Sequence, residues 1–153
     1  MYKLLLFVVI NFGALVIGSL LMGSPLSNEW YIAQNKAPWT PPGWVFGAAW
    51  FIIMACLSVF MMLVANKYSF SEQRFFYLIF AIQILVNILW NPVFFKYHHV
   101  FTALVLIIIL SALVLYMMLW GIRHMGKSGR LLLPYFLWLL TATSLNAYVL
   151  VKN

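Results

Sequence analysis

The sequence predicts an all-α integral membrane protein, a bundle of five transmembrane helices with a long Trp/Pro-rich loop between helices 1 and 2. Three observations predict it. The chain is 66% hydrophobic and 7% charged with a mean hydropathy of +1.02, too apolar for 153 residues to keep from water as a soluble domain. Apolar segments of about 20 residues, the length that crosses some 30 Å of hydrocarbon as helix, follow one another along it. The connections between them are short, except the first. No polar stretch is long enough to fold alone, so residues 1–153 read as a single domain.

The first segment, approximately Leu4–Met22, lies between Lys3 and "GSPLS". A signal peptide has that order too, but its apolar region spans about 7–15 residues and ends in an A-x-A-like site, so a retained helix is expected. The second, Trp44–Ala65, follows Pro41 and Pro42, whose fixed φ and missing N–H suit the first turn of a helix. The third, Phe75–Phe95, stops just before Lys96, and the fourth runs Val100–Trp120. The fifth is Leu131–Val151. No Asp, Glu, Lys or Arg stands well inside any of the five, which makes all of them cheap to insert. Pro92 and Pro134 fall within segments and should kink or loosen them. A kink frees a carbonyl that must find a partner away from lipid, so a cavity between helices is expected.

The formal net charge of +7 does not read as a nucleic-acid footprint, because the nine Lys and Arg are scattered through the loops instead of forming a stripe. Topology explains them. Lys3, Lys67, Arg74, Arg123, Lys127 and Arg130 fall on one side of the membrane, and Lys36, Lys96 and Lys152 on the other. The positive-inside bias places the N-terminus in the cytoplasm and the Trp/Pro loop outside, in a multi-pass protein expected in a bacterial cell membrane. The single Cys56 has no disulfide partner.

Charged groups inside spans mark pumps, exchangers and redox proteins, and here Glu29, Glu72, His98, His99 and His124 all fall in predicted loops. Carboxylate-driven proton coupling, haem ligation and metal catalysis are disfavoured together. The spans instead carry Asn, Trp and Pro at helical spacing. Gln83, Asn87, Trp90, Asn91 and Phe94 share one face of the third. Pro134, Trp138, Thr141, Ala142, Leu145 and Asn146 share one of the fifth, and Phe46, Trp50, Ile53 and Met54 one of the second. Three helices can thus turn aromatic rings and an amide towards a common interior, with the stiff loop "WYIAQNKAPWTPPGW" as a lid. A plainer reading stands beside it: Trp39, Trp44, Trp120, Tyr68, Tyr97 and Tyr116 as interfacial anchors, and Asn11, Asn87 and Asn146 as interhelical hydrogen-bond glue worth about 1 kcal/mol each.

Three blocks resemble the tryptophan-rich sensory protein family, whose animal members are the translocator protein or peripheral benzodiazepine receptor. They are "WYIAQNKAPWTPPGWVFGAAW", "NILWNPVFF" and "LLLPYFLWLLTATSLN". The family's K-P-x-W is here "KAPW", with the proline one place later at Pro38. The resemblance implies a five-helix bundle, commonly a homodimer, that binds tetrapyrroles such as protoporphyrin IX and, in animals, cholesterol and drugs. Carried over, the ligand site comprises Tyr31, Pro41, Phe46, Trp50, Asn87, Trp90, Phe94, Trp138, Ala142 and Leu145. Trp50 and Trp138 match tryptophans implicated in light-dependent porphyrin breakdown.

A porphyrin is a flat apolar disc with two propionates, so aromatic walls and one cation at the mouth suit it, and Lys36 is the expected propionate contact. No intrinsic cofactor and no metal ligand are expected. Leu145, Tyr148 and Lys152 fit the loose cholesterol pattern as well. The functional expectation is a tetrapyrrole sensor or scavenger with possible photo-oxidative degradation, against a porphyrin or lipophile shuttle and a porphyrin-responsive regulator of a partner protein.

Overall fold

The computed structural model describes residues 2–23 and 28–153, and the cleavage-like stretch 24–27 of the first connection lies outside the described residues. Six α-helices account for most of the described chain: α1 (Tyr2–Met22), α2 (Glu29–Ala33), α3 (Gly43–Lys67), α4 (Arg74–Phe95), α5 (Val100–Met125) and α6 (Leu133–Lys152). A 3-10 segment, Gly126–Leu132, joins α5 to α6. By length and composition, Tyr2–Met22, Gly43–Lys67, Arg74–Phe95 and the continuous helical stretch Val100–Lys152 can cross a membrane. Outward rows such as Leu5, Val9, Leu20, Phe51, Leu85, Phe101, Ile108 and Val151 stay exposed. Apolar surface on that scale belongs in lipid, and the protein is a multi-pass membrane protein.

The long helices close a ring in the order α1, α4, α5, α6, α3 and back to α1. Phe60, Met61 and Val64 of α3, Ala103 of α5 and Leu139 of α6 are fully enclosed. Hydrocarbon gives helices no hydrophobic reason to associate, so small residues and internal hydrogen bonds carry much of the pairing. Ser58 Oγ accepts from Asn11 Nδ2 at 3.0 Å and lies 2.7 Å from the Met54 carbonyl, tying α1 to α3. Gln83 Nε2 donates to the Tyr135 hydroxyl at 2.8 Å, joining α4 to α6 through the bundle centre. Asn146 Nδ2 donates to the Val100 carbonyl at 3.1 Å. That bond joins the start of α5 to the second half of α6, so the two helices run antiparallel. Asn11 and Asn146 therefore do act as interhelical glue.

Several expectations need correction. The connection "GIRHMGKSGR" is helical almost throughout, and His124 belongs to α5. Its ring lies against Trp120, 4.6 Å away and nearly parallel. Trp120 is buried rather than interfacial, because the extra turns of α5 cover it and it stacks on Phe76 at 4.0 Å. Pro134 does not kink a helix: α6 begins at Leu133, leaving the proline in the first turn, where no N–H is missed. The buried face of α6 is Tyr135, Leu139, Asn146 and Val149, about one residue round from the predicted one, and Pro134 is exposed. Pro92 does sit inside α4, which ends within a turn of it.

The hairpin between α5 and α6 is tight enough to exclude a side chain. A Cβ on Gly129 would run into the backbone of Gly121 and Ile122, whereas one on Gly47 would meet nothing within 4 Å. Gly129→Ala is expected to lower stability by about 1–3 kcal/mol, the usual cost of overpacking. Gly47→Ala should leave it unchanged or slightly raised. Thermal unfolding in one detergent checks both, and equal melting of the two variants contradicts the close approach.

Candidate functional site

The site lies at the bundle end opposite the basic cluster and begins with a short helix. Asn28 caps α2, its Oδ1 accepting from the Tyr31 N–H at 3.0 Å. Its Nδ2 donates to the Phe95 carbonyl at 2.8 Å and pins α2 to the end of α4. There the Pro92 carbonyl takes both the Lys96 and Tyr97 N–H groups, and His98 adopts φ 59°. A non-glycine residue in the left-handed region is uncommon, and here the His98 ring is held 4.2 Å over Trp30. Trp30 and Tyr31 then meet Phe94 edge to face.

From Gln34 to Pro42 the chain crosses to α3 in turns, held down on α6. Asn35 N–H and Nδ2 donate to Asn153 Oδ1 at 2.8 and 3.1 Å. Trp39 Nε1 donates to Ser144 Oγ at 3.1 Å, and its ring meets Tyr148 edge to face. Ala37 is pressed inward to 5% exposure, and the Thr40 hydroxyl donates to its carbonyl at 2.7 Å. Pro42 caps α3 with an extended ψ of 149° and launches Phe46 inward.

Beneath this cover is a cavity of about 40 Å³ lined by Tyr31, Lys36, Ala37, Thr40, Phe46, Trp90, Phe94, Phe95, Ala142, Leu145, Asn146 and Val149. Trp90 and Phe94 stack at 5.5 Å to form one wall. Lys36 stands at the rim with Nζ 4.5 Å over the Tyr31 ring. Burial raises the Tyr31 phenol above its usual range, so it is neutral at pH 7.

Tyr31, Lys36, Phe46, Trp90, Phe94, Ala142 and Leu145 are thus brought together. Pro41, Trp50, Asn87 and Trp138 do not line the cavity. Trp138 packs edge to face on Phe46 at 5.2 Å and lines an outer hollow of about 280 Å³ between α3 and α6. Trp50 packs on Tyr135 at 5.8 Å, and Asn87 is buried. Sequence reasoning missed Ala37, Thr40, Phe95 and Val149, and placed Asn146 on the inward face of the fifth span without counting it in the ligand site. Only Asn146 carried a signal, its helical register with Ala142. Among the described residues no group of three His, Cys, Asp or Glu could hold a metal.

The profile of the TspO/MBR family matches residues 5–151. The "Tryptophan-rich sensory protein" of Cereibacter sphaeroides is 36% identical over 120 residues, 78% of this chain and 73% of its own. The "Tryptophan-rich protein TspO" of Bacillus cereus is 28% identical over 90% of this chain and 88% of its own. The human "Translocator protein" is 29% identical over 82% and 75%.

The polar fastening of the cover is testable apart from any ligand. Asn35→Ala removes the side-chain bonds to Asn153 and Lys152. Amide exchange across residues 34–42 should quicken about tenfold, as expected for loss of roughly 1–1.5 kcal/mol of hydrogen bonding, with α4 unchanged. Exchange at the wild-type rate would show that the Asn35 side chain does not hold the cover.

Proposed function

The chain belongs to the TspO/MBR family, and from that premise we propose that it binds a tetrapyrrole, protoporphyrin IX, under the first connection as a sensor or scavenger. The observation that carries this is the cavity itself, walled by Phe46, Trp90 and Phe94 with a lysine at its rim. Aromatic faces suit a flat apolar disc, and a propionate at the mouth would pair with the Lys36 cation.

At about 40 Å³ the cavity has room for water only, against the roughly 300–1,000 Å³ of ligand pockets. Binding therefore requires the connection to lift from α6 while the bundle beneath stays packed. Trp138 stands one ring behind the cavity wall through Phe46, and Trp50 leads to the centre through Tyr135. Under light, an excited porphyrin against this wall draws an electron from an indole. Dioxygen is the terminal oxidant of the breakdown.

In this reading α5 and α6 are separate spans, making five crossings. The cell membrane is the expected site. Lys3 donates to the Ala65 carbonyl and Lys67 to the His124 carbonyl, gathering the basic residues at one end and supporting a cytoplasmic N-terminus. Gly18 faces α4, where a Cβ would be blocked by Asn91, and Ala14 is buried. Gly43 and Gly47 remain open on the surface for a homodimer. The cholesterol pattern has weaker support, since Leu145 lines the cavity and Tyr148 packs on Trp39. A shuttle of lipophilic ligands is the second reading, favoured by the outer hollow beside the cavity wall.

Titration with protoporphyrin IX in the dark, followed by tryptophan quenching, should saturate in wild type. The Trp50→Phe/Trp138→Phe double variant should bind within about threefold, since neither ring lines the cavity. Under light in air, bleaching should proceed in wild type and fall at least about tenfold in the double variant, the loss of roughly 1.4 kcal/mol of barrier lowering or more. Non-saturating partition overturns the binding reading, and equal bleaching overturns the photochemical one. Ligand counterflow in proteoliposomes tests the shuttle.

A further inference from the structure

Two of the residues lining the cavity carry a buried polar atom that has no partner. Trp90 Nε1 and Asn146 Oδ1 are both buried and unbonded, and both residues line it. Asn146 is 1% exposed. The orientation of its amide is fixed chemically: Nδ2 donates to the Val100 carbonyl, which can only accept, so the oxygen must be the free atom. The indole N–H of Trp90 can only donate. Of the residues lining the cavity, Trp90 on α4 thus carries an unpaired donor and Asn146 on α6 an unpaired acceptor.

Leaving such groups empty in an apolar interior incurs their full desolvation penalty, and buried polar atoms in folded proteins nearly always find a partner. The other two orphans, Asn11 Oδ1 and Gln83 Oε1, differ in position, because neither residue lines the cavity. Asn146 already ties α6 to α5 through its nitrogen, a task that does not account for its oxygen.

We propose that Trp90 Nε1–H and Asn146 Oδ1 form a donor–acceptor couple that selects, among flat apolar ligands, those carrying a neutral group able both to accept and to donate a hydrogen bond. A hydroxyl meets both demands: its oxygen accepts from the indole and its proton goes to the amide. The inference rests on the reading of this cavity as the ligand site. It adds a specificity element that Lys36 at the rim does not supply, since a cation selects for anions. The couple acts on the body of the ligand, within the bundle.

The test uses three probes of nearly equal shape on the intact protein in nanodiscs, labelled with 15N at the tryptophan indoles. These are 2-naphthol, which donates and accepts, 2-methoxynaphthalene, which only accepts, and naphthalene, which does neither. Trp90→Phe assigns the indole signal and removes the donor while keeping an aromatic ring. Asn146→Leu removes the acceptor, and Asn146→Gln keeps the amide, with thermal unfolding of each variant reporting whether the bundle survives.

2-Naphthol should shift the Trp90 indole N–H saturably and bind about tenfold more tightly than naphthalene, with 2-methoxynaphthalene between them. That preference should vanish in Trp90→Phe and Asn146→Leu. Equal response to all three probes overturns the proposal. So does a protected indole signal that none of them moves, which leaves an ordered water only. If Asn146→Leu fails to fold, loss or persistence of the preference in Trp90→Phe decides. Protoporphyrin titration scores the tetrapyrrole reading separately, since the naphthol series requires no porphyrin.

Discussion

A membrane interior offers no water to a stranded polar group, and that constraint organises this protein. Ser111, Thr141, Thr143 and Ser144 return their hydroxyls to carbonyls of their own helix, whereas a few buried amides bond across between elements. Asn11 with Ser58 sets α1 against α3, Gln83 with Tyr135 sets α4 against α6, and Asn146 sets α6 against α5. Apolar packing alone would let these helices slide or rotate, because lipid tails satisfy a leucine as well as another helix does. The amides fix register, and the close approach at Gly121 and Gly129 fixes the turn between α5 and α6.

A bundle held at its centre in this way can carry a looser end. At the basic end, Lys3 and Lys67 donate to carbonyls near helix ends and the turn from α5 to α6 packs tightly. At the other, the chain from Asn28 to Pro42 is laid over the helix ends by side-chain bonds and aromatic edges, many of them exposed. Such contacts open at far lower cost than the core. A small cavity beneath a cover held by exposed contacts is what that arrangement produces.

The long apolar helices were legible because their signal is thermodynamic: each had to be long and apolar, and the prolines at 41 and 42 marked where α3 begins. The polar face of α4 was legible too, since Gln83, Asn87 and Asn91 interrupt an apolar run at helical spacing. The first half of the α6 face was not. Nearly every residue from 131 to 142 is apolar, so periodicity could not choose between Trp138 and Tyr135, and the 3-10 segment before α6 sets its phase. Trp120 misled for a related reason, as an interfacial tryptophan and one covered by five further residues of helix look alike in sequence. The fastening of Asn35 on Asn153 joins residues 118 apart and left no local trace.

The proposed route of ligand entry lifts the connection off α6 over a fixed bundle. Its most direct test is a distance measured between spin labels at Ile32 and Val151, both exposed, in a Cys56→Ala background. With saturating protoporphyrin IX the account predicts a second, longer population between these labels and no change for a control pair at Phe51 and Ile108 on α3 and α5. An unchanged Ile32–Val151 distribution under demonstrated saturable binding would contradict it.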